Sequence, residues 1–370
     1  MDKMIRVLQV TGSLRVGGLE NVAMNIFRFC DKNKYKFDFL VYGEKVEPFE
    51  QEVWSLGGRV FHIPYPHKGI RKYVKAMKKV MVENGPYDVV HSHSLFNSGF
   101  VMKAAYQTGI PIRISHAHSD RRNVKSKLPR AIFNDYMRFL INKYATKKFA
   151  CSEGAGRYLY KDGYDDNVFK VKNGVFVSKF IYNEEARKRI KTEFNWESNK
   201  IIGHIGRLAP VKNQMKIINA FSYAYTKDSS LRLLIVGDGE LRSQLQSRID
   251  ELGLGSVAIL AGTRSDVSDL LSAFDVYVMA SFYEGVSVSL IEAQSSGVQC
   301  LVTPKAAAQE TRLTKCLSVI ELEKSDEDWA NKLIELSKCG RVDSASDEIL
   351  SAGYDIVDIV SKELEFYEKT

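Results

Sequence analysis

The sequence has no apolar run that approaches the roughly 18 residues needed to span a membrane. Its longest, such as LLIV and DVYVMA, are a fraction of that length. Cysteine is sparse: Cys30, Cys151, Cys300, Cys316 and Cys339 are scattered and odd in number. With no CxxC or Cys/His spacing among them, a disulfide framework and a zinc finger are both excluded, and free thiols in a reducing cytoplasm are expected. MDKMIRVLQV enters a strand pattern at once, so no secretory signal is expected. Proline is held to 8 residues, against 25 glycines, 45% hydrophobic and 26% charged residues, which excludes disorder and collagen-like repeats. At about 150 residues per domain, 370 residues make about two domains.

Charge is unevenly shared. Residues 1–180 hold 31 basic and 16 acidic side chains, a net +15, whereas 181–370 hold 22 and 29, a net −7. The first part is thus suited to an anionic partner, either nucleic acid or an acidic membrane surface. Its densest basic stretches are Arg71–Lys79 and Arg121–Arg130. Apolar residues recur at helical spacing within the first, as in an amphipathic surface helix.

Short Val/Ile/Leu-rich runs alternate with helical patterns along the whole chain. IRVLQV, FDFLVYG, RVFHIPY, DVVHSH, PIRISHAH, KKFACS and VFKVKNGV read as strands of a first domain. KIIGHIGRL, SLRLLIVGDG, SVAILAG, DVYVMAS, QCLVTP and SVIEL read as strands of a second. Strands of this composition separated by amphipathic helices imply βαβ units and parallel sheets covered on both faces. The expected fold is α/β, with two doubly wound Rossmann-like domains over 1–180 and 181–352. Charged KFIYNEEARKRIKTEFNWESNK reads as their junction, and a C-terminal helix over 353–370 is expected to pack back on the first domain. Such sheets bind ligands beyond the carboxyl ends of their strands, and two facing domains would share one cleft.

Three patterns carry chemistry. SFYEGVSVSLIEAQSSG follows a strand and holds Glu284 and Glu292. A helix starting near Ser287 leaves the amides of Val286, Ser287, Val288 and Ser289 free for an anion. At the end of KIIGHIGRL, Gly206 permits close backbone approach, and Arg207 and Lys212 can converge on a diphosphate. The first loop, TGSLRVGGLEN, carries Gly17 and Gly18 but lacks the GxGxxG spacing of a dinucleotide fingerprint. Histidines 91, 93, 116 and 118 lie at two strand ends, each pair on one side of its strand by the period of two. No carboxylate or cysteine completes a metal set there, and none is assigned. The one DxD, Asp326–Asp328, follows Ser325 at a helix start and reads as a cap.

Together, GRLAPVK, the E-x(7)-E of EGVSVSLIE, the GG of RVGGLE and the HSH and HAH strand ends resemble the retaining, nucleotide-sugar-dependent glycosyltransferases of the GT-B fold, family 4. FYEGVSVSLIEAQSSGVQCLVTP and ISHAHS followed by FACSEGAGRYLY resemble the bacterial capsule and exopolysaccharide branch. The resemblance spans nearly the whole chain. KAAAQETR departs from the acidic and glycine-rich pattern frequent after the matching strand.

The resemblance implies that Arg207 and Lys212 neutralise the donor diphosphate, that Glu284 holds donor-sugar hydroxyls and that Glu292 binds the ribose. It also implies that Gly285 and the amides of Val286–Ser289 cradle the distal phosphate, while Gly17, Gly18 and Gly206 let backbone approach the ligand. His118 is expected on the donor sugar, with His116 and His93 lining the cleft. No cofactor or metal is implied beyond the donor, expected to be a UDP-sugar. The expected acceptor is a saccharide hydroxyl, lipid-linked, met by a cytoplasmic protein docked peripherally on the inner membrane face through its basic N-terminal domain. A sugar-nucleotide epimerase of the same fold is the nearest alternative. An oxidoreductase would need GxGxxG and a ribose-binding acid, and no nucleic-acid-binding module is recognisable.

Overall fold

The computed structural model describes residues 3–15, 18–118, 128–284, 286–307 and 309–368. The chain divides into two compact units, one of residues 1–173 with 357–370 and one of 174–356. Each is built on one wholly parallel sheet.

The first sheet contains β1 (Ile5–Gly12), β2 (Tyr35–Tyr42), β3 (Arg59–Ile63), β4 (Val89–Ser92), β5 (Ile112–Ala117), β6 (Lys147–Ala150) and β7 (Phe169–Lys170), in the order β3-β2-β1-β4-β5-β6-β7. The second contains β8 (Lys200–Ile205), β9 (Leu231–Val236), β10 (Ala258–Gly262), β11 (Val276–Met279), β12 (Gln299–Val302) and β13 (Leu317–Val319), in the order β10-β9-β8-β11-β12-β13. Chain direction across each sheet therefore reverses once, between β1 and β4 and between β8 and β11. Loops leaving the carboxyl ends of such a pair diverge to opposite faces and leave a crevice between them.

The strands are apolar on both sides because both faces are covered. In the second unit Ile202, Leu233, Ile235, Val276 and Val278 pack with Trp329 and Phe221 on one face. Ile201, Leu234, Tyr277 and Met279 pack with Phe274 and Leu290 on the other. β8 passes so close to Phe274 that a Cβ on Gly203 would sit 2.1 Å from the ring. In the first unit, the last helix, Ile356–Glu368, lies against the sheet. Phe366 packs on Phe149 and Phe169, and Gln9 donates to the Tyr367 hydroxyl at 3.2 Å.

The charged stretch read as a junction is folded into the second unit. Its helix Glu184–Glu193 buries Ala186 and Ile190, and Trp196 follows into the same core. Few apolar residues suffice because the helix needs only one narrow buried stripe.

Candidate active site

The two loops at the reversal of the second sheet are joined. Lys212, in the turn after β8, donates to Glu284 Oε1 at 2.6 Å, and Ser281 Oγ donates to the same oxygen at 2.6 Å. Both charged side chains are largely buried. Three further bonds hold the Glu284 loop: Phe282 N to Val211 O at 2.9 Å, Glu284 N to Lys305 O at 3.1 Å, and Thr303 Oγ1 to Ser281 O at 2.6 Å. Oε2 of Glu284 has no hydrogen-bond partner among the described residues, which leaves it available to hydroxyl donors.

The helix Val288–Ser295 begins directly after this loop, with Ser287 at its N-cap. The first amides of a helix have no acceptor within it, so those following Ser287 present a positive dipole end beside the Lys212–Glu284 pair. Tyr277 donates to Ser289 Oγ at 3.1 Å and so fixes the side of that first turn. Glu292 lies one turn on. Burial pushes its carboxyl up to about 7, opposed by the Lys179 ammonium. Val286 packs against the small cluster of Val175, Ile291 and Tyr354.

The Arg207 loop is positioned by groups to which the motifs gave no role. His204 Nδ1 donates to Val278 O at 2.9 Å, which leaves Nε2 to accept from Gln214 Nε2 at 3.2 Å. The same amide donates to Arg207 O at 2.8 Å. Burial holds His204 neutral, with its pKa near 4. From the other side, the GDG turn after β9 packs backbone on backbone. A Cβ on Gly237 would lie 2.1 Å from Gly206 O, and one on Gly239 would lie 2.3 Å from Leu208 O. A Cβ on Gly206 would press on His204 Nε2 at 3.1 Å. The only sequence signal for this clamp is the second glycine-bearing strand end.

Arg207 and Lys212 do not share a partner. The Arg207 guanidinium is exposed and pairs with Glu240 at 2.8 Å, whereas Lys212 is inside on Glu284. Gly17 and Gly285 lie outside the described residues, as does 121–127 of the second basic stretch. Gly18 opens the helix Gly18–Phe29. Asp328 completes a capping box with Ser325, and Asp326 pairs with Lys216 at 2.7 Å, so the DxD carboxylates serve their own helix and its neighbour.

In the first unit the four histidines form a stacked column. Ring centroids are 4.3 Å apart for His91 and His93, 5.0 Å for His93 and His118, and 4.0 Å for His116 and His118. Burial pushes His118 down to about 3 and the other three well below the usual histidine range, so all four are neutral at pH 7. Nitrogens of His91, His93 and His116 lie within 4.8 Å of one another, close enough for a cation. His91 Nε2 and His116 Nδ1 are, however, hydrogen-bonded to each other at 3.2 Å, and both His93 nitrogens are engaged elsewhere.

This geometry accompanies a clear set of likenesses. Residues 186–348 match the model for Glycosyl transferases group 1, and residues 16–179 match that for Glycosyltransferase Family 4. The putative glycosyltransferase EpsF of Bacillus subtilis (strain 168) is 30% identical over 372 residues, spanning 98% of this chain and 96% of its own. The chain belongs to the family 4 glycosyltransferases. A second relative of this glycosyltransferase is the UDP-Gal:alpha-D-GlcNAc-diphosphoundecaprenol alpha-1,3-galactosyltransferase of Escherichia coli. It is 24% identical over 81% of this chain and 79% of that one. Among solved structures, Anabaena HepE in complex with UDP superimposes with a TM-score of 0.78 at 18% identity, covering 98% of this chain and 100% of HepE. The fold is GT-B, built from two Rossmann-like sheets.

Proposed function

We propose that this glycosyltransferase moves a sugar from a UDP-sugar, with retention of anomeric configuration and without a metal, to a hydroxyl of a lipid-linked saccharide in cell-surface glycan synthesis. The observation that carries the reading is the Lys212–Glu284 pair, 2.6 Å apart, beside the amide end of the helix Val288–Ser295. A cation, a carboxylate with one oxygen unengaged and a row of amides are what a pyrophosphate joined to a sugar requires. The HepE fold has been solved with UDP-glucose, and the Escherichia coli relative is named for a UDP-sugar and a diphosphoundecaprenol acceptor.

In this mechanism Lys212 releases Glu284 to the donor-sugar hydroxyls and turns to the diphosphate, with Arg207 as the second cation. The first amides of the helix receive the distal phosphate, and Glu292 takes the ribose hydroxyls. As the bond from C1 to the phosphate oxygen breaks, charge grows on UDP, and the fixed cations and helix dipole stabilise it more in the transition state than in the ground state. Glu284, kept in place by Ser281 on one oxygen, is read as a hydrogen-bonding group rather than as a nucleophile. A front-side displacement follows: the acceptor oxygen bonds to C1 on the face the phosphate leaves, and its proton passes to that departing phosphate oxygen.

The test is acceptor-dependent UDP release over a panel of donors in EDTA, with the product anomer read by NMR. Retained configuration at an undiminished rate is expected. An inverted product, or donor converted with no acceptor present, rejects the reading. Lys212→Ala is expected to weaken UDP binding by about tenfold, the worth of one charge-assisted contact.

The protein is further proposed to dock on an anionic membrane surface through its N-terminal unit. No helix of the described residues is long and apolar enough to cross a membrane. The helix Ile70–Glu83 exposes Arg71, Lys72, Lys75 and Lys79, and the helix Leu128–Tyr144 exposes Leu128, Ile132, Tyr136 and Phe139 along one stripe. Both pack against the helix Ser98–Gln107. A basic helix and an exposed apolar stripe are the features that acidic headgroups and acyl chains engage.

A further inference from the structure

At the amino ends of β11 and β12, opposite the Lys212–Glu284 pair, one side chain gathers the ends of two helices. The guanidinium of Arg341 donates from Nη1 to Ser296 O at 2.7 Å. Its Nη2 shares two protons among Leu271 O at 2.8 Å, Ser272 O at 2.7 Å and Phe274 O at 2.7 Å. Guanidinium nitrogens only donate and carbonyl oxygens only accept, so these bonds have one direction. Ser296 is the C-cap of the helix Val288–Ser295, and Phe274 is that of the helix Val267–Ala273. The last carbonyls of a helix have no partner within it, and a cation placed there complements the dipole.

Phe274 O and Ser296 O also bracket one stretch of chain. Only Asp275 separates Phe274 from β11, and the helix Val288–Ser295 ends directly before Ser296. The strand, the Glu284 loop and the helix therefore form an arch whose two feet meet at Arg341. An eight-residue helix is about 12 Å long and too short to be stable by itself, so its orientation depends on what grips its ends. Arg341 is itself held in place. Val342 N donates to Gly297 O at 2.9 Å, and a Cβ on Gly297 would lie 2.6 Å from Val342 O. The guanidinium carbon lies 4.4 Å from the centre of the Tyr182 ring. Arg187 takes the neighbouring carbonyl, Ala273 O, at 2.8 Å and pairs with Asp275 at 2.8 Å. Burial and the nearby Arg187 lower the Arg341 pKa to about 10, so it stays charged at neutral pH.

We propose that Arg341 is a positioning residue of the donor site: by tying the feet of this arch together, it sets how the first amides of the helix and Glu292 stand against the Lys212–Glu284 pair. This role rests on the reading above, in which those amides and Glu292 receive UDP. Arg341 lies at the end of the helix away from the phosphate and acts only through the main chain. Lysine cannot replace it, because an ammonium lacks the planar fork that reaches Ser296 O and Phe274 O at once. A cavity of about 530 Å³ opens beside the guanidinium, lined also by Tyr182, Arg187, Asp275 and Gly297. A small guanidinium ion can enter it where the side chain has been cut back.

Titration calorimetry of the full-length protein with UDP separates positioning from folding, since loss of folded protein lowers the number of sites and leaves the Kd where it was. Arg341→Ala and Arg341→Lys are each expected to raise the Kd for UDP by about tenfold with the number of sites kept. Methylguanidinium at millimolar concentration is expected to restore the Kd of Arg341→Ala and to leave wild type and Lys212→Ala unchanged. Hydrogen exchange over residues 286–296 is expected to quicken in both Arg341 variants. Should Arg341→Ala not fold, Arg341→Lys, which keeps the charge, carries the same comparison. Three results overturn the proposal: a Kd unmoved in the folded variants while Lys212→Ala weakens UDP, a raised Kd in Arg341→Ala that methylguanidinium does not lower, or a fall in sites alone. If Lys212→Ala also leaves the Kd unmoved, the reading of the donor site falls, and this role with it.

Discussion

Glu292 is the residue whose chemistry depends most on its surroundings. Its carboxyl sits near pH 7 because burial penalises the charge and Lys179 only partly offsets it. An ionised carboxylate accepts from both ribose hydroxyls, whereas a protonated one must give up an acceptor. UDP affinity is therefore expected to rise with pH up to about 7 and then level. Titration calorimetry of wild type against Glu292→Gln from pH 5.5 to 8.5 isolates this, because ionisation of UDP is common to both. Identical pH profiles would remove Glu292 from the ribose. At this scale the sequence was readable where chemistry is local: Glu284 and Glu292 stand eight residues apart around a helix start that the pattern itself marks. It was silent on the partnership of Lys212 with Glu284, 72 residues apart, which exists because β11 lies beside β8.

Among the elements, the turn after β9 shows how backbone alone can shape a site. Gly237 has a φ of +131° and its Cα faces the Gly206 carbonyl, so a side chain there is strained in conformation and has no room. Gly237→Ala is expected to displace the Arg207 loop and cut kcat/KM by tenfold or more, about 1.4 kcal/mol. Gly253, also at positive φ but with open space around it, provides the control for conformational strain alone. The helices Ile70–Glu83 and Leu128–Tyr144 give a second expectation. Ile132→Ser with Phe139→Ser, and separately Lys72, Lys75 and Lys79 to Gln, should each reduce flotation with anionic liposomes. Each basic residue near the surface is worth about 1 kcal/mol. Equal flotation with neutral and anionic vesicles would dismiss the membrane face. The strands were legible as Val/Ile/Leu runs because both faces of each sheet are covered. The helix Glu184–Glu193, within the stretch read as a junction, is hard to see in the sequence because its buried stripe amounts to little more than Ala186, Ile190 and Lys191.

For the molecule as a whole, the buried titratable groups are unequally divided. The N-terminal unit holds four histidines with depressed pKa values and Glu363, whose carboxyl burial pushes up to about 8. The other unit holds one of each, His204 near 4 and Glu292 near 7. A neutral histidine loses its stabilising advantage as pH falls below the unfolded value of 6.5, because the unfolded chain then binds the proton. A buried acid does the reverse between its raised pKa and the unfolded 4.5. As pH falls below 6.5, four buried histidines weigh against the N-terminal unit and one, His204, against its companion, while each unit has one raised acid to oppose them. Pulse proteolysis in urea at pH 7.5 and 5.5, with the cut sites mapped, should find the N-terminal unit yielding first in acid. Parallel loss of both units would contradict it. None of this was visible in composition, since seven histidines are an ordinary number and only their burial makes them matter.

The return of the last helix to the first sheet also bears on how the protein is made. A ribosome delivers residues 1–173 well before Phe366 and Tyr367, so the floor beneath the histidines stays bare through translation of the entire intervening unit. The two ends must wait for each other, and the stretch 174–356 has every chance to mature while its older neighbour is still unfinished.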